Sequence, residues 1–352
     1  MGFLSEQEAA SLRLARMSLH IVGDESEFEP QPELAVDHDD FLLTVIREIA
    51  VDSVYQFEEV STTRNTIESI ASRTVDFQVG AQELARDFCR LHKAQAKDGA
   101  FFVFELGVDD ENIKIYALVK YDYAQALELV HKEGATGLRK IVEAFIGSKN
   151  AIQKSAIVRI RDGKAESAIS TRDRMGRPAP IVTDFFRKYL QVKRERDDDE
   201  LTGDVKDVVK TALHDNREFL PKTHFAACVS QANAVLRNAP EINESVIQQA
   251  VWVGAGQPEA EEIVERFTKS VERLIRRKKL EGISFAPSRS VLPRSVKRTI
   301  TTTEGVKIEY NTALEGQTVV IEDMGAGSTR FVITTQGYTD DVNTSKDRRT
   351  TR

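Results

Sequence analysis

Two cysteines in 352 residues, Cys89 and Cys228, are too few for a disulfide framework or a multi-cysteine zinc site. Each sits in an apolar helical pattern, which reads as a buried free thiol. Nine prolines and 19 glycines are too few for a fibrous or disordered chain. No apolar run approaches the roughly 18 uncharged residues that would span a bilayer. The first residues carry Glu6 and Glu8 and lack the apolar stretch of a secretory signal. A soluble, cytoplasmic chain is expected, with no membrane partner.

Catalytic signatures are scarce as well. The six histidines (His20, His38, His92, His131, His214, His224) show no HExxH or other metal spacing. Asp37-His38-Asp39-Asp40 resembles a ligand cluster only in composition and reads as a loop whose Asp39 or Asp40 caps the next helix. There is no G-x-S-x-G, no P-loop and no G-x-G-x-x-G after a strand; Gly254-Ala255-Gly256 reads as a helix stop. A metal-dependent nuclease would need two or three converging carboxylates, and the many acids show no such spacing. The expectation is therefore no enzyme, no catalytic residue, no metal and no cofactor. The aromatics, with the single Trp252, fall mainly on apolar faces and offer no evident stacking platform for bases.

What the chain does have is separated charge. Lys269 to Arg298 sets ten basic residues against two acids, although the whole chain carries a formal −7. Such separation focuses positive potential where a polyanion can dock. Part of it belongs to a helix that opens on Glu261, Glu262 and Glu265 and closes on Arg276, Arg277, Lys278 and Lys279. That order suits the helix dipole, at about 0.3–1 kcal/mol per well-placed charge. Glu262–Arg266, Glu265–Lys269 and Glu272–Arg276 are spaced as i,i+4 pairs. The helix does not account for Arg289, Arg294, Lys297 and Arg298 beyond it. A polyanion site and a solvated face both remain open readings of this segment.

A second basic zone, residues 149–196, holds thirteen Lys/Arg against five Asp/Glu. Arg172, Arg174 and Arg177 crowd one loop, Thr171 to Pro178. Guanidinium forks match phosphate oxygens. The same arginines have a rival destination in the acidic stretch 24–60, with twelve acids and one Arg.

Hydropathy periods outline the elements. A strand is expected over 12–22, an exposed acidic loop over 24–40, and helices from Phe41 and over 79–96. Ala100–Val108 and Ile113–Tyr121 read as a hairpin turning at residues 109–112, with at least one face buried. Ser155–Arg161 and Glu166–Ser170 turn at Asp162-Gly163. A short helix carries Ile181, Val182, Phe185, Phe186, Tyr189 and Leu190 on one stripe. The charge run Asp197–Glu200 reads as a linker, which divides the chain into domains 1–196 and 197–339 and a flexible tail 340–352. From Gly203 to Lys279 the pattern is helical, broken near Pro221, Pro240 and 254–258. Four short strands come next, near 296–303, 306–310, 318–322 and 330–335. The fold class is α+β: an N-terminal antiparallel sheet with helices, then helices and short antiparallel strands.

Three stretches resemble the NdpA-type (YejK-type) nucleoid-associated proteins of bacteria. They are Asp98-Gly99-Ala100-Phe101-Phe102-Val103-Phe104 running through the hairpin to Val119, then Gly176-Arg177 followed by Val182-Thr183-Asp184-Phe185-Phe186. The third is the basic stretch 294–298 followed by Gly305-Val306-Lys307-Ile308-Glu309-Tyr310. Their order matches over most of the chain; residues 65–72 and much of the helical middle do not. The resemblance implies a non-catalytic α+β protein of the bacterial nucleoid that binds DNA. A role in phage defence, or as a scaffold for a protein partner, is compatible with it. The combined expectation is a homodimer that binds double-stranded DNA through backbone phosphates. Arg276, Arg277, Lys278, Lys279, Arg294, Lys297 and Arg298 form its main patch, and Arg172, Arg174 and Arg177 a second.

Overall fold

The computed structural model describes the chain except residues 1, 23–27, 29, 37–38, 92–98, 123, 133–134, 145–151, 177, 222–224, 293–296, 312–313, 316–317, 326 and 336–352. Of residues 122, 124–132 and 135–144 it describes the backbone alone. Arg177, Arg294, the tail 340–352 and the end of the expected helix 79–96 thus lie outside the described residues.

The N-terminal half contains α1 (Glu6–Ser11), β1 (Arg13–Val22), β2 (Glu33–Leu34), α2 (Asp39–Ile49), β3 (Tyr55–Phe57), α3 (Thr62–Ala71) and α4 (Phe77–Leu91). It continues with β4 (Gly99–Gly107), β5 (Ile113–Asp122), β6 (Ala124–Lys132), β7 (Ala135–Ala144), β8 (Ile152–Arg161), β9 (Lys164–Asp173), α5 (Asp184–Leu190) and β10 (Val192–Arg194). Then come α6 (Asp198–Asp215), α7 (Phe225–Asn238), α8 (Glu244–Gly254) and α9 (Glu261–Arg277). Two hairpins close the described chain: β11 (Lys297–Thr301) with β12 (Lys307–Asn311), and β13 (Val319–Asp323) with β14 (Thr329–Ile333). The architecture is α+β, as expected.

Eight strands form one sheet in the order β10-β3-β9-β8-β5-β4-β1-β2, paired antiparallel throughout. Alternation along β4 explains why both of its faces are dry. Phe102, Phe104 and Leu106 pack with Leu42, Ile46 and Ile49 of α2 and with Phe3 and Leu4. Phe101 and Val103 face the other way, joining Phe88 of α4 and Phe186 and Tyr189 of α5. Each buried aromatic contributes about 1.5–3 kcal/mol by leaving water. That second core continues without interruption into Leu201, Val205, Val208, Leu213, Val271 and Leu274 of the helical half.

Several local expectations are corrected. Asp39 and Asp40 stand inside the first turn of α2, where a carboxylate still complements the dipole, rather than capping it from outside. Ile181 and Val182 precede α5, which starts at Asp184; the Val182 amide instead donates to the Tyr55 hydroxyl. The acidic run expected as a linker is the start of α6. Asp197 caps it, accepting from the Glu200 amide at 2.8 Å while the Glu200 carboxylate accepts from the Asp197 amide at 3.0 Å. Glu265–Lys269 pairs within α9 at 2.6 Å, but Arg266 reaches Glu218 and Arg276 reaches Glu6 and Glu281. Acids on neighbouring elements outcompete those one turn away. The ribbon β6–β7, the short strands β3 and β10, and helix α3 have no counterpart in the sequence reading.

One buried polar cluster ties the sheet to the start of α5. Asp173 Oδ2 accepts from Lys154 Nζ (2.6 Å), the Thr183 amide (2.9 Å) and the Thr183 hydroxyl (2.6 Å), and Lys154 also donates to that hydroxyl. The Lys154 and Asp173 side chains are 4% and 0% exposed. The loop from Asp173 to Thr183 turns so tightly that a Cβ on Gly176 would lie 1.7 Å from the Ile181 carbonyl oxygen, so only glycine fits. Removing one partner of a buried ion pair strands the other charge. Asp173→Asn is expected to lower the unfolding free energy by about 3–5 kcal/mol in urea titration; a loss confined to a few tenths would show that Lys154 finds another counter-charge.

Candidate nucleic-acid interface

The basic end of α9 is shaped by the acids around it. Lys278 donates to Asp204 and Asp207 of α6, each at 2.9 Å, and these carboxylates raise its pKa. Arg273 pairs with Asp215 at 3.2 Å, and Arg276 with Glu6 at 2.9 Å and Glu281 at 3.3 Å. Farther on, Lys297 bonds Glu309 across the β11–β12 hairpin at 2.9 Å. Arg298 bonds Glu315, whose other oxygen accepts from the Tyr310 hydroxyl. Four of the seven cations of the main patch, Arg276, Lys278, Lys297 and Arg298, are therefore already engaged by carboxylates.

These pairs differ in how easily they release a cation. An exposed pair is worth about 0–1 kcal/mol, so a phosphate can replace the acid at little cost. Arg276 and Lys297 are of this kind, with side chains 54% and 70% exposed. Lys278 and Arg298 are more enclosed, and Glu315 is 5% exposed, so their charges are committed inside the fold. Arg277 and Lys279 are exposed and have no ion pair among the described residues. Lys279 has a left-handed backbone (φ 51°), and its carbonyl and that of Lys278 accept from the Arg196 guanidinium. That cation stands where the helix C-terminus concentrates negative partial charge.

Just past Lys279 the chain enters the wall of a cleft of about 820 Å³ through Gly282, Ile283 and Ser284. Arg172 and Arg174, both exposed, line the same cleft. Folding thus brings the loop of Arg172 and Arg174 and the segment just past α9, about a hundred residues apart, to the walls of one cleft. Arg172 donates to the Glu48 backbone carbonyl at 3.3 Å. It does reach the acidic 24–60 stretch, but through a peptide group, which leaves its charge uncompensated by that bond.

The cleft also holds groups that composition could not single out. Gln153, Ser155, Asp52 and Glu241 line it, and Arg289 stands at a neighbouring cavity of about 590 Å³ with Arg237 and Leu292. Asp52 fastens the halves together: its amide donates to the Glu281 carbonyl at 2.9 Å, and its carboxylate accepts from the Glu281 amide at 2.7 Å. Burial pushes its pKa up to about 6, against the hydrogen bond that lowers it. Lys154 carries one readable signal, since it falls in phase with Ala156, Val158 and Ile160 on a core face. Among the described residues no three His, Cys, Asp or Glu side chains group as a metal site, and no helix is long and apolar enough to cross a membrane.

A family model described as NA37, nucleoid-associated protein YejK, matches residues 18–334. The chain belongs to this family. Its members are nucleoid-associated, and that places this chain in a DNA-binding role at the nucleoid. The match spans the large sheet, the helical half and both C-terminal hairpins. No curated protein is matched by the chain.

Asp52 yields a pH test. Its carboxyl holds a proton in the folded state up to about pH 6, whereas the unfolded chain releases it near 3.8. Stability therefore falls as pH rises through that window, because the folded state must ionise a buried group. Asp52→Asn keeps an oxygen acceptor for the Glu281 amide and removes the titration. At pH 7 it should be more stable than the parent by about 1–3 kcal/mol, and the gap should close toward pH 4 in denaturant melts.

Proposed function

We propose that the protein binds double-stranded DNA without catalysing a reaction, chiefly through backbone phosphates, as a homodimer in the bacterial cytoplasm. The observation that supports this reading is the set of exposed cations at the end of α9 and at the mouth of the cleft that begins just past it. Arg277 and Lys279 have no ion pair among the described residues, and Arg172 and Arg174 are exposed and line the cleft. Arg276 and Lys297 join them by exchanging an exposed carboxylate for a phosphate. Lys278 and Arg298, named with equal weight by the sequence, take a structural role in this reading.

Phosphate neutralisation releases counterions, so affinity falls steeply with salt and varies little with base sequence. Replacing Arg277 and Lys279 together by Ala is expected to weaken all duplexes alike. It should reduce the slope of log K against log salt by about 2, one unit per phosphate contact. Lys278→Ala should leave the slope unchanged while lowering stability. Filter binding of unrelated duplexes at several salt concentrations reads both effects. Weak retention even at low salt would favour a protein-binding scaffold or a phage-defence component instead. Plasmid cleavage with added Mg²⁺ or Mn²⁺ would overturn the non-catalytic part.

A further inference from the structure

The cleft has an interior chemistry that duplex binding at its rim does not use. Gln153 lines the cleft and is 8% exposed, and its backbone carbonyl accepts from the Arg174 amide at 2.9 Å. The hydroxyls of Ser155 and Ser284, two further lining residues, are buried and unpartnered. Two of the acids lining the cleft are spoken for: Asp173 by Lys154 and Thr183, and Asp52 by the Glu281 amide. Glu241 at the rim is exposed and has no partner among the described residues.

We infer that the cleft is a binding site for a single nucleoside phosphate. The volume of about 820 Å³ lies within the range of small-molecule sites, about 300–1,000 Å³. Arg172 and Arg174 at the mouth supply planar forks for the phosphate. Ile49, Ile152, Pro180 and Ile283 give apolar walls for a flat base. The Gln153 amide offers a donor and an acceptor side by side, the pattern that pairs with the N6 and N7 edge of adenine. Glu241 is placed to accept from a sugar hydroxyl. The ligand arrives either as a free nucleotide or as an unpaired nucleotide of a DNA strand; both present the same groups. This inference depends on Gln153, which duplex binding through rim cations does not.

The test titrates the full chain with adenosine 5′-monophosphate, with adenosine, and with a short 5′-phosphorylated single strand, following heat of binding and the thermal midpoint. Saturable binding of the monophosphate, weakened about tenfold or more without its phosphate, is expected. Gln153→Leu should weaken it by about tenfold or more while duplex affinity and its salt slope stay at the parental values. If only the single strand binds in a Gln153-dependent way, the source is DNA rather than free nucleotide, and the assignment of the site stands. Should Gln153→Leu melt early, Glu241→Ala on the exposed rim provides the same comparison in a folded chain. Absence of saturable binding by either phosphorylated probe at millimolar concentration overturns the inference. So does binding that neither variant changes. A lost duplex salt slope with intact nucleotide binding would instead count only against the duplex reading.

Discussion

The buried ion pair between Lys154 and Asp173 is the constraint on which the functional side of the molecule depends. Burying two charges costs several kcal/mol apiece unless each is fully paired and hydrogen-bonded. Here one carboxylate oxygen collects three donors, two of them from Thr183. The geometry therefore holds the end of β9, the turn at Gly176 and the start of α5 in a single arrangement. That arrangement sets Arg172 and Arg174 at the cleft mouth and inserts Phe186 and Tyr189 into the core.

A second junction sets the other wall. Asp52 exchanges hydrogen bonds with Glu281, and Arg196 closes the carbonyl end of α9. The apolar core crosses the same boundary, from Tyr55 and Phe57 to Leu280 and Ile283. Sheet and helices are thereby held by both burial and directed polar contacts. The cleft lies where the two meet, a common position for ligand sites because neither unit alone fills the space.

Much of the architecture is legible from periodicity. Alternation in Ala100–Val108 and Ile113–Tyr121 finds the central hairpin, and the 3.6 period in Glu261–Arg277 finds α9 with its buried Val271 and Leu274. Short elements escape for a physical reason. Tyr55–Phe57 and Val192–Arg194 are too brief to show a period, and they exist because a distant strand offers a ladder. The acidic run at 197–200 reads as a linker because charge alone does not distinguish a solvated connection from a capped first turn. Only the reciprocal Asp197–Glu200 bonds do.

The candidate interface is legible as a total and not as a site. The sequence by itself determined that this chain has two zones with an excess of basic residues against an acidic remainder, since that is a count along the chain. Resemblance of three sequence stretches determined its family. Tertiary structure decided which cations remain available, because an acid's distance in space bears no relation to its distance in sequence. Lys278 meets Asp204 some seventy residues away, whereas the adjacent Arg277 meets no acid among the described residues. The cleft, too, belongs to the folded chain alone: residues from five separate segments line it.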